Sequence, residues 1–146
     1  MTVFTNTLLV DADPQTVFDI LADRERELEW NPACESVTKL SSGPIGVGSR
    51  WRAKWKGGGP AVEVETLAYD RPNAVTSHNG GPLEVTVSCA FTPADGGTRA
   101  DIRFEAIPHG FFRVVFPLFE RRFRQQFAQN GERIKSLAEK RSVPLA

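Results

Sequence analysis

The chain has 146 residues, 40% of them hydrophobic and 25% charged, with a formal net charge of +0. That length suits one domain over 1–146 with a substantial core, and the balanced charge excludes a general electrostatic pull toward nucleic acid. No run approaches the ~20 apolar residues of a membrane span.

The start, MTVFTNTLLVDADP, lacks the basic residues and long apolar core of a signal peptide. Cys34 and Cys89 have neither zinc spacing nor a CxxC motif. A cytoplasmic chain without a metal or cofactor is expected, its two thiols buried rather than joined in a disulfide.

In chain order, residues 3–11 read as a strand rich in Val, Thr, Phe and Leu. Asp13 is placed to cap a helix whose first position Pro14 suits, with Val17, Phe18, Ile20 and Leu21 as its apolar face. The charged run DRERELEW predicts a second short helix ending before Asn31-Pro32, its charges solvated and Leu28 and Trp30 turned inward. These two helices are expected to plug one end of a sheet. A strand at 35–41 and a turn region containing Gly43, Pro44, Gly46 and Gly48 follow. GVGS there lacks the third glycine and the following helix of a phosphate-binding loop.

Arg50–Lys56 alternates basic and apolar residues, Gly57-Gly58-Gly59-Pro60 turns the chain, and Ala61–Thr66 alternates again. A hairpin with Trp55 opposite Val62, Ala53 opposite Val64 and Trp51 opposite Thr66 gathers the apolar residues on one face. It also sets Lys54 against Glu63 and Arg52 against Glu65, which neutralises the basic stripe as a nucleic-acid surface. After Asp70-Arg71-Pro72-Asn73, a strand is expected at 74–79. Leu83, Val85, Val87, Cys89 and Phe91 then share one face of another strand. A turn at 93–97 returns the chain to a strand through Arg99–Ile107, with Phe91 opposite Ala100, Cys89 opposite Ile102 and Val87 opposite Phe104. Tight turns at regular intervals predict an antiparallel meander with one apolar face.

From Gly110 to Arg141 the spacing predicts a long helix. Phe112, Phe116, Phe119, Phe123, Phe127, Ile134 and Leu137 fall on one side of it, together with Asn130. The buried amide is expected to bond to a strand backbone or a buried water, or else to make a polar contact inside a cavity. Pro117 should kink this helix or separate it into two pieces. Phe111, Val114 and Leu118 point away from the main stripe. Such a patch packs under a loop, lines a ligand entrance, touches membrane or meets another subunit, and burial under the chain's own loops is the commonest outcome.

VDADPQTVFDILADRERELEWNP, IGVGSRWRAKW, TLAYDRPNAV, FTPADGGTRADIRFE and the aromatic terminal helix, in this order, resemble the START/Bet v 1-like (SRPBCC) superfamily. The nearest likeness is to its bacterial polyketide cyclase/dehydrase-like branch. The resemblance implies an α+β helix-grip fold: a curved seven-stranded antiparallel sheet around the C-terminal helix, with two short helices after the first strand. It further implies a hydrophobic cavity, in which members bind lipids, sterols or polyketides and a minority catalyse reactions. Fold alone does not settle function in such a group.

Wall candidates for a ligand between sheet and helix are Trp30, Trp51, Trp55, Val87, Phe104, Phe112, Phe116, Phe119 and Phe123. Thr66, Tyr69, His78 and Asn130 are the candidate polar contacts, with apolar contact supplying most of the affinity. His78, which the pattern leaves free to face either way, is the one general-base candidate, and no carboxylate is placed to orient it. His109 reads as a surface residue at the helix entrance, and Cys89 as a small hydrophobe. Binding of a hydrophobic or amphipathic molecule therefore leads, with a polyketide cyclase or aromatase as the enzymatic alternative. A monomer or homodimer is expected, with Phe111, Val114 and Leu118 as the contact surface.

Overall fold

The computed structural model describes residues 1–56 and 59–142. β1 (Thr2–Val10) leads into α1 (Pro14–Ala22), where the Asp13 carboxylate accepts the Thr16 N–H at 2.9 Å and Pro14 occupies the first turn. α1 buries Val17, Phe18, Ile20 and Leu21. A 3₁₀ turn at Arg24–Arg26 runs directly into the one-turn helix α2 (Glu27–Trp30). Here the structure corrects the sequence-based expectation: Trp30 is buried, but its inward companion is Glu27, and Leu28 is exposed. Residues 27 and 30 share a face in a single turn, so Leu28 points outward once the Glu27 carboxylate finds donors inside.

The remaining strands are β2 (Cys34–Lys39), β3 (Arg50–Trp55), β4 (Val62–Asp70), β5 (Ala74–Asn79), β6 (Leu83–Ala94) and β7 (Gly97–Pro108). They form one antiparallel seven-stranded sheet in the order β1-β7-β6-β5-β4-β3-β2, curved into the helix-grip arrangement. β6 and β7 pair in the expected register, Phe91 with Ala100, Cys89 with Ile102 and Val87 with Phe104. A two-residue turn sets it: Asp95 and Gly96 both have positive φ, 46° and 80°, the primed geometry that matches strand twist.

The β3–β4 register differs from expectation by two residues. Ala53 faces Val62, Trp51 faces Val64, Arg52 faces Glu63 and Arg50 faces Glu65. The parity of the faces survives, but Trp55 lies beyond β4 and pairs with Cys34 of β2. Its indole N–H donates to Glu27 at 2.7 Å, which draws the end of β3 toward α2. The charge pairs shift accordingly, to Arg50–Glu63 at 2.9 Å and Lys54–Glu35 at 3.5 Å. The predicted turn at 57–60 lies partly outside the described residues.

α3 (Phe112–Ser142) is continuous through Pro117. Only the Arg113 carbonyl loses a helical partner there, and both residues are exposed to water, so the helix does not separate into two pieces. Phe116, Asn130, Ile134 and Ala138 are buried, and Phe112, Phe123, Phe127 and Leu137 half-buried. Phe119 is exposed, because at 100° per residue it falls about 60° from Phe116, at the stripe's edge. Phe111, Val114 and Leu118 are not covered by loops: they are 78%, 70% and 79% exposed.

Two glycines set the close approaches. A Cβ on Gly131 would lie 2.4 Å from Asn6 Nδ2, so glycine lets α3 settle on β1. A Cβ on Gly97 would lie 2.2 Å from the Val10 carbonyl oxygen, a backbone atom with no room to retreat. Gly97→Ala should therefore force the ends of β1 and β7 apart and cost about 1–3 kcal/mol. Urea unfolding checks this, and an unchanged midpoint would contradict the close packing.

Candidate functional site

Strand parity decides which side chains face the helices. Val75, Ser77 and Asn79 of β5 point inward, as do Leu83, Val85, Val87, Cys89 and Phe91 of β6 and Ile102, Phe104 and Ala106 of β7. Far from the helix entrance this surface is sealed: Phe91, Ala100, Ile102, Val17, Phe18 and Ile134 belong to one fully buried cluster. Nearer to it the wall is apolar yet incompletely covered. Val85, Val87 and Phe104 from the sheet and Phe112, Phe123 and Phe127 from α3 are all only half-buried. Phe4 stacks on Phe104 at 5.8 Å, Phe127 leans on both, and Phe116 meets Phe123 at 5.4 Å.

The structure gathers Phe104, Phe116 and Phe123 in one cluster with Phe4, while Val87 packs against the buried cluster that holds Trp30, and Phe112 is half-buried at the start of α3. Trp51 and Trp55 lie together in a separate cluster with Cys34, Val37 and Val64, and Phe119 is exposed. Of the polar candidates, Thr66 is inward and buried. Tyr69 reaches inward because a bulge between Thr66 and Ala68 resets the parity of β4, and its ring meets Phe18 edge-on at 5.2 Å. Asn130 is buried, and its oxygen accepts from Arg133 one turn on at 3.0 Å. His78 is on the outer face, between the inward Ser77 and Asn79.

Sequence reasoning missed the polar centre of the inner face. Glu27, buried, pairs with Arg24 and accepts from Asn31 Nδ2 at 2.8 Å and from the Trp55 indole at 2.7 Å. Arg24 in turn lines a small, partly open void of about 10 Å³ with Leu21, Ala22, Thr66, Val75, Ser77, Val87 and Cys89. That is room for about one water. Arg24 Nε, Trp30 Nε1 and Trp51 Nε1 are buried without a hydrogen-bond partner among the described residues. The helical spacing of Glu27 and Trp30 signalled this cluster, but charge was read as solvent exposure.

A family model described as polyketide cyclase / dehydrase and lipid transport matches residues 1–139. The chain belongs to this family. No curated protein matches it. Among solved structures it is similar to the protein TTHA0849 of Thermus thermophilus, with a TM-score of 0.77 at 16% identity over 97% of this chain and 100% of that one. It is also similar to two di-domain ARO/CYC proteins. These are StfQ of the steffimycin pathway (TM-score 0.74, 15% identity, 95% of this chain) and BexL of the BE-7585A pathway (0.72, 17%, 99%). The chain spans 51% of each di-domain protein.

The two inward thiols are not acid–base groups near neutral pH. Burial pushes the Cys89 thiol up to about 12, and burial with the nearby Glu27 charge does the same to Cys34. Neither is a thiolate near neutral pH. His78 does have a carboxylate partner, contrary to expectation, but the pair is outside: Glu84 holds His78 Nε2 at 2.8 Å and His109 Nε2 at 2.9 Å. Hydrogen bonds from His78 and then His109 hold the Glu84 carboxyl below its ordinary value of 4.5. A carboxylate depressed in the folded state stabilises the fold above that value and loses the contribution as pH falls through the depressed one. Glu84→Gln should therefore flatten the acid-side loss of stability below about pH 4.5, as followed by thermal melts across pH. An unchanged slope would show that the two histidines contribute nothing through Glu84.

Proposed function

We propose that this protein binds a hydrophobic or amphipathic small molecule, lipid-like or polyketide-like, between the inner face of the sheet and α3. One observation carries the proposal. The wall formed by Val85, Val87, Phe104, Phe123 and Phe127 faces inward yet stays half-buried, while the other half of the same face is sealed. Uncovered apolar surface costs about 25 cal/mol per Å², and a ligand lying along it removes that cost. Membership of a family described by cyclisation, dehydration and lipid transport supports a ligand of this class.

Binding is favoured over catalysis. His78 and His109 are engaged by Glu84 on the outer face, and the inward Glu27 carboxylate is occupied by Arg24, Asn31 and the Trp55 indole. The void of about 10 Å³ is far smaller than a ligand, so filling the site requires the inner face and its helical cover to part. In native mass spectrometry with medium-chain fatty acids and polycyclic aromatic polyketides, one ligand should be retained per chain. Val87→Trp, which fills the space, should weaken binding by roughly tenfold. Equal retention by both proteins would exclude this wall, and failure to retain any ligand would exclude the proposal.

A second reading concerns where such a ligand is collected. The exposed Phe111, just before α3, is followed by the exposed Val114 and Leu118 on one face of the helix, and the exposed Arg121 and Arg122 continue that face one turn on. Between residues 111 and 125 four arginines stand against one glutamate, in a chain of formal net charge +0. Apolar side chains backed by guanidinium groups match the acyl boundary and phosphates of an anionic bilayer. Flotation should show binding to phosphatidylcholine vesicles only when phosphatidylglycerol is included, and Phe111→Ser/Leu118→Ser should abolish it. Indifference to phosphatidylglycerol, or a stable dimer that buries the stripe, would overturn this reading.

A further inference from the structure

At the polar end of the inner face, Arg24, Thr66 and Ser77 border one small void. Arg24 emerges from the 3₁₀ turn between α1 and α2, its side chain 12% exposed. One end of its guanidinium is committed to Glu27, which is itself held by Asn31 and the Trp55 indole. The anchored guanidinium keeps Nε buried and unpartnered, and Arg24 forms one side of the void. Across that void are the hydroxyl-bearing side chains of Thr66 and Ser77, directly opposite one another on β4 and β5. Three residues with hydrogen-bonding side chains, on three elements, therefore border a space of about 10 Å³ whose other walls are Leu21, Ala22, Val75, Val87 and Cys89. Val87 belongs equally to the half-buried apolar wall, so the void is continuous in lining with the proposed ligand site.

We infer that the ligand carries a neutral carbonyl or hydroxyl oxygen that docks against Arg24, Thr66 and Ser77. This rests on the proposed ligand-binding interior and names the chemical class that it selects. Charge decides between oxygen types. The Arg24 cation is already matched by Glu27, so a second carboxylate would bring an uncompensated negative charge into a buried space. A ketone oxygen takes the Nε donor and the hydroxyl donors without adding charge. A hydrocarbon leaves them unpaired, which buried donors resist.

Three probes of matched shape separate these cases by calorimetry: 2-acetylnaphthalene, 2-ethylnaphthalene and 2-naphthoate. The ketone should bind roughly tenfold more tightly than the hydrocarbon, about one buried hydrogen bond's difference. Arg24→Lys keeps a cation beside Glu27 but removes Nε, and Thr66→Val/Ser77→Ala removes both hydroxyls with little change in shape. Each should erase the ketone's advantage while the affinity for 2-ethylnaphthalene is retained, which also shows that the variant is folded. Equal binding of ketone and hydrocarbon, tightest binding of 2-naphthoate, or a ketone advantage that survives both variants would overturn the inference and leave the apolar site standing. If none of the three binds, the ligand-binding interior itself falls, and this inference with it.

Discussion

One helix cannot cover seven strands. At about 4.8 Å per strand the sheet is roughly 29 Å wide, whereas a helix with its side chains is about 10–12 Å across. α3 lies chiefly against β1, where Gly131 allows contact with Asn6 and Leu8. The rest of the inner face falls to α1, the 3₁₀ turn and α2, and their coverage is unequal. Phe18 and Leu21 seal one part of the surface, while Val85, Val87 and Phe104 remain half-buried. The ligand site proposed above is the remainder of that division, not a separately built chamber.

Glu27 links the two halves of the cover. A buried carboxylate is tolerable only when its oxygens are occupied by donors, and this one has Arg24, Asn31 and Trp55. Three consequences follow from the same bonds. α2 turns Leu28 out, β3 runs past β4 to carry Trp55 toward the helices, and Arg24 is fixed beside the void with its Nε buried and unpartnered. The packing that seals one end of the interior thus also places its polar groups. The outer-face trio of His78, Glu84 and His109 has no part in that arrangement: it joins β5 and β6 to the segment that enters α3.

The legible parts of the chain were those governed by neighbours in sequence. The α1 cap, the paired faces of β6 and β7 and their register all depend on short-range patterns, ending in a turn that accepts only one alignment. β3 and β4 kept their faces but not their register, since alternation constrains alignment only to steps of two and the connecting loop is long enough to permit such a step. Tyr69 faces inward through a bulge that alternation does not announce. His78 acquired a carboxylate six residues away only because the β5–β6 hairpin folds Glu84 back beside it.

From its sequence alone this chain is committed to a seven-strand meander with one apolar face, two short helices and a long amphipathic helix to cover it. Periodicities of two and 3.6 suffice for that, because each records which side of an element avoids water. Tertiary structure decided the rest: that Phe119 lies outside, that Glu27 rather than Leu28 is buried, and that Arg24, Thr66 and Ser77 share one small void. These outcomes depend on where separate elements meet. A charged side chain reads as solvated until the donors that hold it inside are supplied by residues remote in sequence.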